Sequence, residues 1–292
     1  MPSYSTRGFV LKKTKLGETD LILTILAENG SQIRAVAKGA RKPNSAMAPR
    51  LELFSIVDLL LHQGRSLDVI SEVRLIEPNI ACRSSAERAA AAAAVCEFLE
   101  IVTREAELEP RLYPMACEAL RRLGVVRQEG LDLMLAAALL KFAAQIGYLP
   151  ALGECALCGT PLTESPIYFW SFTDGGSLCE QCASYGRPAE IGEAGEWQGA
   201  GQSAISGYET LGVTTETLGA ITLISGALLS WLRLSLGSRF IDIEKSLNDE
   251  TDALRQLGSS LLSIAQEWIQ AHLGITLKSL KSLALLRDFS PE

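Results

Sequence analysis

The stretch from Ser31 to Phe54, SQIRAVAKGARKPNSAMAPRLELF, decides how the first part of this chain is read. It parses as a strand, a loop holding Gly39, Pro43, Asn44, Ser45 and Pro49, and a second strand starting near Leu51. Gly and Pro punctuate the loop, and apolar residues on either side supply the strands. Along the first strand, two-residue alternation puts Gln32, Arg34, Val36 and Lys38 on one face and Ile33, Ala35 and Ala37 on the other. Arg34, Lys38, Arg41, Lys42 and Arg50 all lie in the stretch, and Glu52 is its only acid. A basic face beside a basic loop is an electrostatic footprint for a polyanion. A solvated strand face with a polar loop is the plainer reading of the same residues.

Charge along the whole chain separates the two. Residues 1–50 hold nine Lys/Arg (the five above with Arg7, Lys12, Lys13 and Lys15) against Glu18, Asp20 and Glu28, a net of +6. Residues 1–80 sum to +3 and the remainder to −10, so the overall −7 conceals a basic head on an acidic body. Such asymmetry points to nucleic-acid contact through one end only.

Working outward, strand-like segments cover about 7–14, 19–27, 31–38, 51–62 and 67–76, with Asn29-Gly30 as a hairpin turn. Leu21, Leu23 and Ile25 interleave with Ile22, Thr24 and Leu26, so the second strand is expected to be covered on both faces. Five short strands in about 80 residues predict a small closed barrel, of which the OB-fold is the commonest that binds nucleic acid. An SH3-like barrel fits the same pattern.

Beyond Pro78 the pattern turns helical. Ser84-x-x-Glu87 reads as a capping box before the run Ala89–Ala94. A second helix is expected from Pro110 or Pro114 to Gly124, and a third over Leu131–Ile146, stopped by Gly147 and Pro150. Residues 190–202 read as a Gly- and Glu-rich loop, and helices are expected to resume at about 215–236, 250–273 and 276–286. The class is therefore α+β: a barrel over 1–80, then a helical domain over 81–292 interrupted by a cysteine-bearing insert at about 153–187.

At 292 residues with 48% hydrophobic content the chain has ample material for packed cores and fits about two domains. The N-terminus lacks the apolar core of a signal peptide, and Thr217–Leu232 is too short and polar to span a bilayer, so a cytoplasmic protein without membrane contact is expected. That stretch reads better as a buried helix.

The insert carries Cys155-Ala-Leu-Cys158 and Cys179-Glu-Gln-Cys182. Two CxxC knuckles at this separation have the spacing of a zinc ribbon, and four thiolates leave no open position for water, so the Zn2+ would be structural. Ile167, Phe169, Trp170 and Phe172 would form its hairpin, with Gly175-Gly176 as the turn. A metal-free ribbon or free thiols are the alternatives; a redox dithiol needs only one pair. Cys82, Cys96 and Cys117 read as small apolar helix residues.

Catalytic signatures are scarce. The two histidines, His62 and His272, sit in different elements. Neither GxxxxGK[ST] nor GxSxG occurs; the GxGxxA-like Gly199–Ala204 follows no apolar strand, and Asp249, Glu250 and Asp252 read as the charged first turn of a helix. No catalytic residue is assigned. Tyr4, Phe9 and Phe54 are the only aromatics of the barrel, too few for a base-stacking platform. Phosphate contacts would dominate binding, giving poor sequence specificity and steep salt dependence.

Four segments, GFVLKKTKLGETDLILTILAENG (8–30), KGARKPNSAMAPRLELF (38–54), the CALC…GGSLCEQC pairing (155–182) and HLGITLKSLKSLALL (272–286), together resemble the bacterial recombination mediator family RecO. Their order and spacing agree along most of the chain, while 187–250 matches nothing. The resemblance implies an N-terminal OB-fold, a helical domain and an inserted zinc ribbon. It also implies a non-enzymatic role: binding single- and double-stranded DNA, annealing complementary strands, and working with RecR to load RecA on DNA coated by single-strand-binding protein. Carried onto this sequence, the basic positions are Lys12, Lys13, Lys15, Lys38, Arg41, Lys42 and Arg50, to which strand alternation adds Arg34. Ala46-Met47-Ala48 is uncharged where many relatives are basic. In this family the acidic, Phe-ending tail of single-strand-binding protein docks on the helical domain. Such a tail needs an apolar pocket beside a cation, and Arg121, Arg122 and Lys141 are the candidates. A zinc-ribbon adaptor joining proteins, and a hydrolase with an unrecognised site, are the competing readings.

Overall fold

The computed structural model describes residues 2–104, 108–185, 216–218, 221–247 and 251–288. The loop expected at 190–202, the Gly199–Ala204 motif, Asp249 and Glu250 lie outside them.

Five strands, β1 (Ser3–Leu16), β2 (Asp20–Ala27), β3 (Gln32–Ala37), β4 (Ile56–His62) and β5 (Asp68–Glu77), close a barrel in the order β1-β2-β3-β5-β4. This is the OB-fold arrangement: antiparallel neighbours except for the short parallel β3–β5 seam, Ala35 opposite Asp68 and Val36 opposite Val69. Val10, Leu23, Ile25, Ala35, Ala37, Val57, Leu59 and Leu61 fill the interior. The expectation that β2 is covered on both faces holds for Leu26, which with Phe9 belongs to the core of the helices outside. The turn after β2 closes through the Gly30 N–H donating to the Ala27 carbonyl at 2.9 Å.

The strand expected from Leu51 begins only at Ile56. A single 3-10 turn, Ala48–Arg50, precedes it, and Leu51 is fully buried among the barrel side chains with Ala40. Alternating Leu51 and Leu53 therefore record a loop that plugs one end of the barrel, a pattern that burial alone shares with a strand. Phe54 departs further, with φ 73°. Its carbonyl accepts from the Asn79 amide at 2.7 Å, one of the bonds that hold this unfavourable backbone.

The helical part comprises α1 (Ala86–Val102), α2 (Leu112–Val125) and α3 (Leu131–Gln145), then, after the ribbon, α5 (Gly226–Gly237), α6 (Phe240–Lys245), α7 (Thr251–Leu273) and α8 (Lys278–Asp288). The cap of α1 is Ser85, whose hydroxyl accepts from the Arg88 N–H at 3.2 Å; Ser84 instead donates to the Ala81 carbonyl of a preceding 3-10 turn. Gly124 lies inside α2 rather than ending it, because a Cβ there would come within 2.9 Å of Ala81. Helix α3 is buried along nearly its whole length, in keeping with its unbroken apolar run. Among the described residues no helix is long and apolar enough to cross a membrane.

Barrel and helices are stitched together. Gln32 donates to the Glu100 carbonyl and to the Thr103 hydroxyl of α1's C-terminal end, and Arg83 reaches the Leu53 and Pro78 carbonyls. The insert forms β6 (Ile167–Ser171) and β7 (Gly176–Leu178), then α4 (Glu180–Tyr185). Here the helix expected from residue 215 fails: β8 (Glu216–Leu218) and β9 (Ile221–Ser225) complete a sheet in the order β7-β6-β9-β8, and α5 starts only at Gly226. Ile221, Thr222 and Ile224 are β-branched and suit a pleated sheet, but their partner strand lies some 50 residues upstream. Trp170 of β6 is fully buried and packs on Trp268 of α7 with ring centroids 5.6 Å apart. The ribbon is thus rooted in the helical core.

Candidate nucleic-acid interface and metal centre

The basic residues read from the sequence fall into two groups. Lys12 pairs with Glu100 at 2.8 Å and Lys13 with Glu52 at 2.8 Å, so part of their charge is cancelled locally. Arg41 donates to the Gly17 carbonyl at 2.7 Å and Arg50 to the Val73 carbonyl at 3.2 Å; both are exposed, and both also fasten the loop. Lys15, Arg34, Lys38 and Lys42 are exposed and make no salt bridge among the described residues. Lys38, Arg41 and Lys42 radiate from one turn in which Gly39 takes φ 65° and the Lys42 N–H bonds the Gly39 carbonyl. Ala40 points inward as a plug, which forces its neighbours outward.

Sequence reading missed Arg65. It is exposed in the β4–β5 turn, and the β3–β5 seam places the start of β5 beside the end of β3, the strand that leads into Lys38. Only the strand order could have found it. Lys15 stands at the end of β1, just before the β1–β2 turn, and Arg65 lies in the β4–β5 turn.

The four cysteines converge as their spacing predicts. Their sulfurs lie within 4.8 Å of one another, and Cys158 and Cys179 are 3.7 Å apart. Zinc–thiolate bonds of about 2.3 Å in a tetrahedron set sulfur–sulfur edges of about 3.8 Å, so the cluster fits such an ion. The Thr160 hydroxyl, followed by its backbone N–H, holds the Cys158 thiol down to about 6, the thiolate form a cation needs. Hydrogen bonds to Cys179 and Cys158, together with burial, push the Cys182 thiol up to about 12. Cys82, Cys96 and Cys117 are buried, and burial raises all three thiols, as expected of apolar filling.

The sequence matches known proteins piece by piece. The family model "Recombination protein O N terminal" matches residues 1–79, and "Recombination protein O C terminal" matches residues 83–196. A DNA repair protein RecO of Frankia casuarinae is 38% identical over 213 residues, covering 68% of this chain and 85% of that protein. Another, of Cutibacterium acnes, is 36% identical over 193 residues, covering 64% and 77%. The chain belongs to the recombination protein O family.

The structure separates the three helical cations read from the sequence. Arg121 turns toward the barrel and holds Glu77 through both carboxylate oxygens, with Glu118 as a further partner. Arg122 bridges Glu118 at 2.7 Å and Glu244 at 2.8 Å. Lys141 donates to the Ser238 carbonyl at 2.6 Å and lies 5.5 Å from the centre of the Phe240 ring. Burial lowers the Lys141 pKa from the usual lysine value. Arg122 and Lys141, but not Arg121, line a cavity of about 780 Å³ whose apolar wall includes Pro114, Met115, Leu149, Leu236 and Phe240. The cleft thus sets Arg122 and Lys141 beside an apolar wall that includes Phe240, a residue the sequence reading had not singled out.

Proposed function

We propose that this chain is a mediator of DNA repair and homologous recombination that works in the cytoplasm, binds single- and double-stranded DNA and anneals complementary strands. The observation that carries the reading is the set of solvent-facing cations on the barrel that make no salt bridge among the described residues: Lys15, Arg34, Lys38, Lys42 and Arg65. Such a surface offsets the repulsion between two phosphate backbones and raises their local concentration, while base pairing supplies the driving force. No catalytic group is needed. Zinc held by Cys155, Cys158, Cys179 and Cys182 stabilises the ribbon.

The reading extends to partners through family membership. The chain works with RecR to load RecA on DNA coated by single-strand-binding protein, whose acidic tail places its terminal Phe in the cleft beside Lys141 and Phe240. Annealing of two complementary oligonucleotides, bare and then coated, across a salt series tests this. Acceleration that fades with salt is expected, and it persists on coated strands when RecR is present. No acceleration in either state would leave a zinc-ribbon adaptor between proteins.

A further inference from the structure

Asp20 is an acid in the middle of the basic rim. It begins β2, beside the turn that carries Lys38, Arg41 and Lys42. An acid here weakens the attraction of the rim for phosphate, so its presence calls for a compensating role. Its Oδ1 accepts from the Gly39 N–H at 2.8 Å and from the Thr19 hydroxyl at 2.8 Å. Next to it the Arg41 N–H bonds the Thr19 carbonyl at 2.8 Å, and the Arg41 guanidinium bonds the Gly17 carbonyl. Three of these bonds lace the β1–β2 turn to the start of the long loop, and the Thr19 hydroxyl steadies the carboxylate that makes one of them. Asp20 is the side-chain acceptor for the Gly39 N–H among the described residues. Glycine takes the observed φ of 65° freely but leaves it as freely, so a bond from outside the turn is what selects this conformation. The Gly39 N–H and Thr19 hydroxyl, with Lys38 and Lys42 nearby, keep the Asp20 carboxyl below the usual carboxylate range.

We infer that Asp20 is a positioning residue for nucleic-acid binding: its side-chain oxygen fixes the Gly39 turn so that Lys38 and Lys42 meet phosphates together. The inference rests on the DNA-binding reading above. It separates hydrogen bonding from charge, because Asn keeps an acceptor oxygen at the same place and Ala keeps neither.

The experiment is binding of a fluorescein-labelled 20-mer oligo-dT by the full chain, as wild type, Asp20→Asn and Asp20→Ala, over a salt series. Asp20→Asn should bind about two- to threefold tighter than wild type at low salt, since one repulsive charge is gone and the turn stays in place. Asp20→Ala should bind about tenfold weaker than Asp20→Asn, with a shallower salt slope by about one phosphate contact. Equal affinities and slopes for the two variants would overturn the inference, because both remove the same charge. Thermal melts by circular dichroism identify a folding failure in Asp20→Ala. In that event hydrogen exchange over residues 38–45 of folded Asp20→Asn decides: protection must match wild type, and its loss would also overturn the inference. If wild type itself does not bind, the DNA-binding reading fails, and that result is distinct from either outcome.

Discussion

The barrel rim and the helical layer both carry arginines and lysines, and they use them in opposite ways. On the rim, Lys15, Arg34, Lys38, Lys42 and Arg65 face solvent without an acid within salt-bridge distance among the described residues. In the helical layer several arginines are structural. Arg88 caps the Leu123 and Val126 carbonyls at the end of α2, Arg127 bonds the Leu247 carbonyl, and Arg287 of α8 grips Asp132 of α3. Counting cations by region would miss this. What binds a polyanion is charge left over after the fold has taken its share, and on the barrel that share includes Arg7, Lys12, Lys13 and Arg74 but not the five rim cations.

The comparison can be broken most severely at the thiols, whose charge should be wholly committed to a metal. A Cys155→Ser, Cys179→Ser double variant should lose its zinc, an interaction on the order of 10 kcal/mol for structural sites. Mass spectrometry of the native protein reads the metal content directly; undiminished zinc would remove the ribbon from the group of locked charges.

Next in size is Arg287→Ala. Asp132 is only 8% exposed, and losing its partner strands a carboxylate in the helical core. Urea unfolding should show a loss of about 2–3 kcal/mol, the lower figure allowing for the partial exposure of Arg287. Oligonucleotide affinity should not move. Unchanged stability would mean that helical cations are as dispensable as rim cations.

The mirror experiment is a Lys38→Glu, Lys42→Glu reversal. Binding should fall by about 30-fold at low salt for every oligonucleotide sequence, with a salt slope shallower by about two phosphates and the same urea midpoint. Arg121→Ala, by contrast, should leave DNA binding intact, since that guanidinium is turned onto Glu77. A DNA defect in Arg121→Ala equal to that of the reversal would erase the distinction between the two regions.

The smallest effect lies on the far side of the barrel. Asp58 of β4 accepts from Arg7 and then Arg74, which lower its carboxyl to about 2. A depressed carboxyl contributes stability that is present above the unfolded value of about 3.9 and is lost as pH falls through about 2. Both arginines are well exposed, so solvent screening should limit the contribution to less than about 1 kcal/mol. Wild type should lose that increment between pH 4 and pH 2, and Asp58→Asn should not; parallel pH profiles would refute it.

Much of this was legible in the residues. Alternation and the Asn29-Gly30 turn revealed β2 and β3, the long apolar run revealed α3, and the two CxxC pairs revealed the sulfur cluster. Each is a local signal, fixed by the period of a strand, the length of a helix or the spacing of a knuckle. The failures have one cause. Leu51 and Leu53 alternate because a loop plugs the barrel, and Ile221–Ser225 pairs with a strand about 50 residues away, so burial or partner choice at a distance overrode the local pattern.

The sequence by itself determined the class of the fold, the four thiols and the excess of positive charge at one end, because composition and short-range spacing are properties of the chain. Which cations remain free was decided only in three dimensions. Arg121 and Lys38 are both basic residues in polar surroundings when read as letters; one meets Glu77 from a strand 44 residues earlier, and the other is exposed without a salt bridge among the described residues. A salt bridge between distant segments requires the chain to fold first.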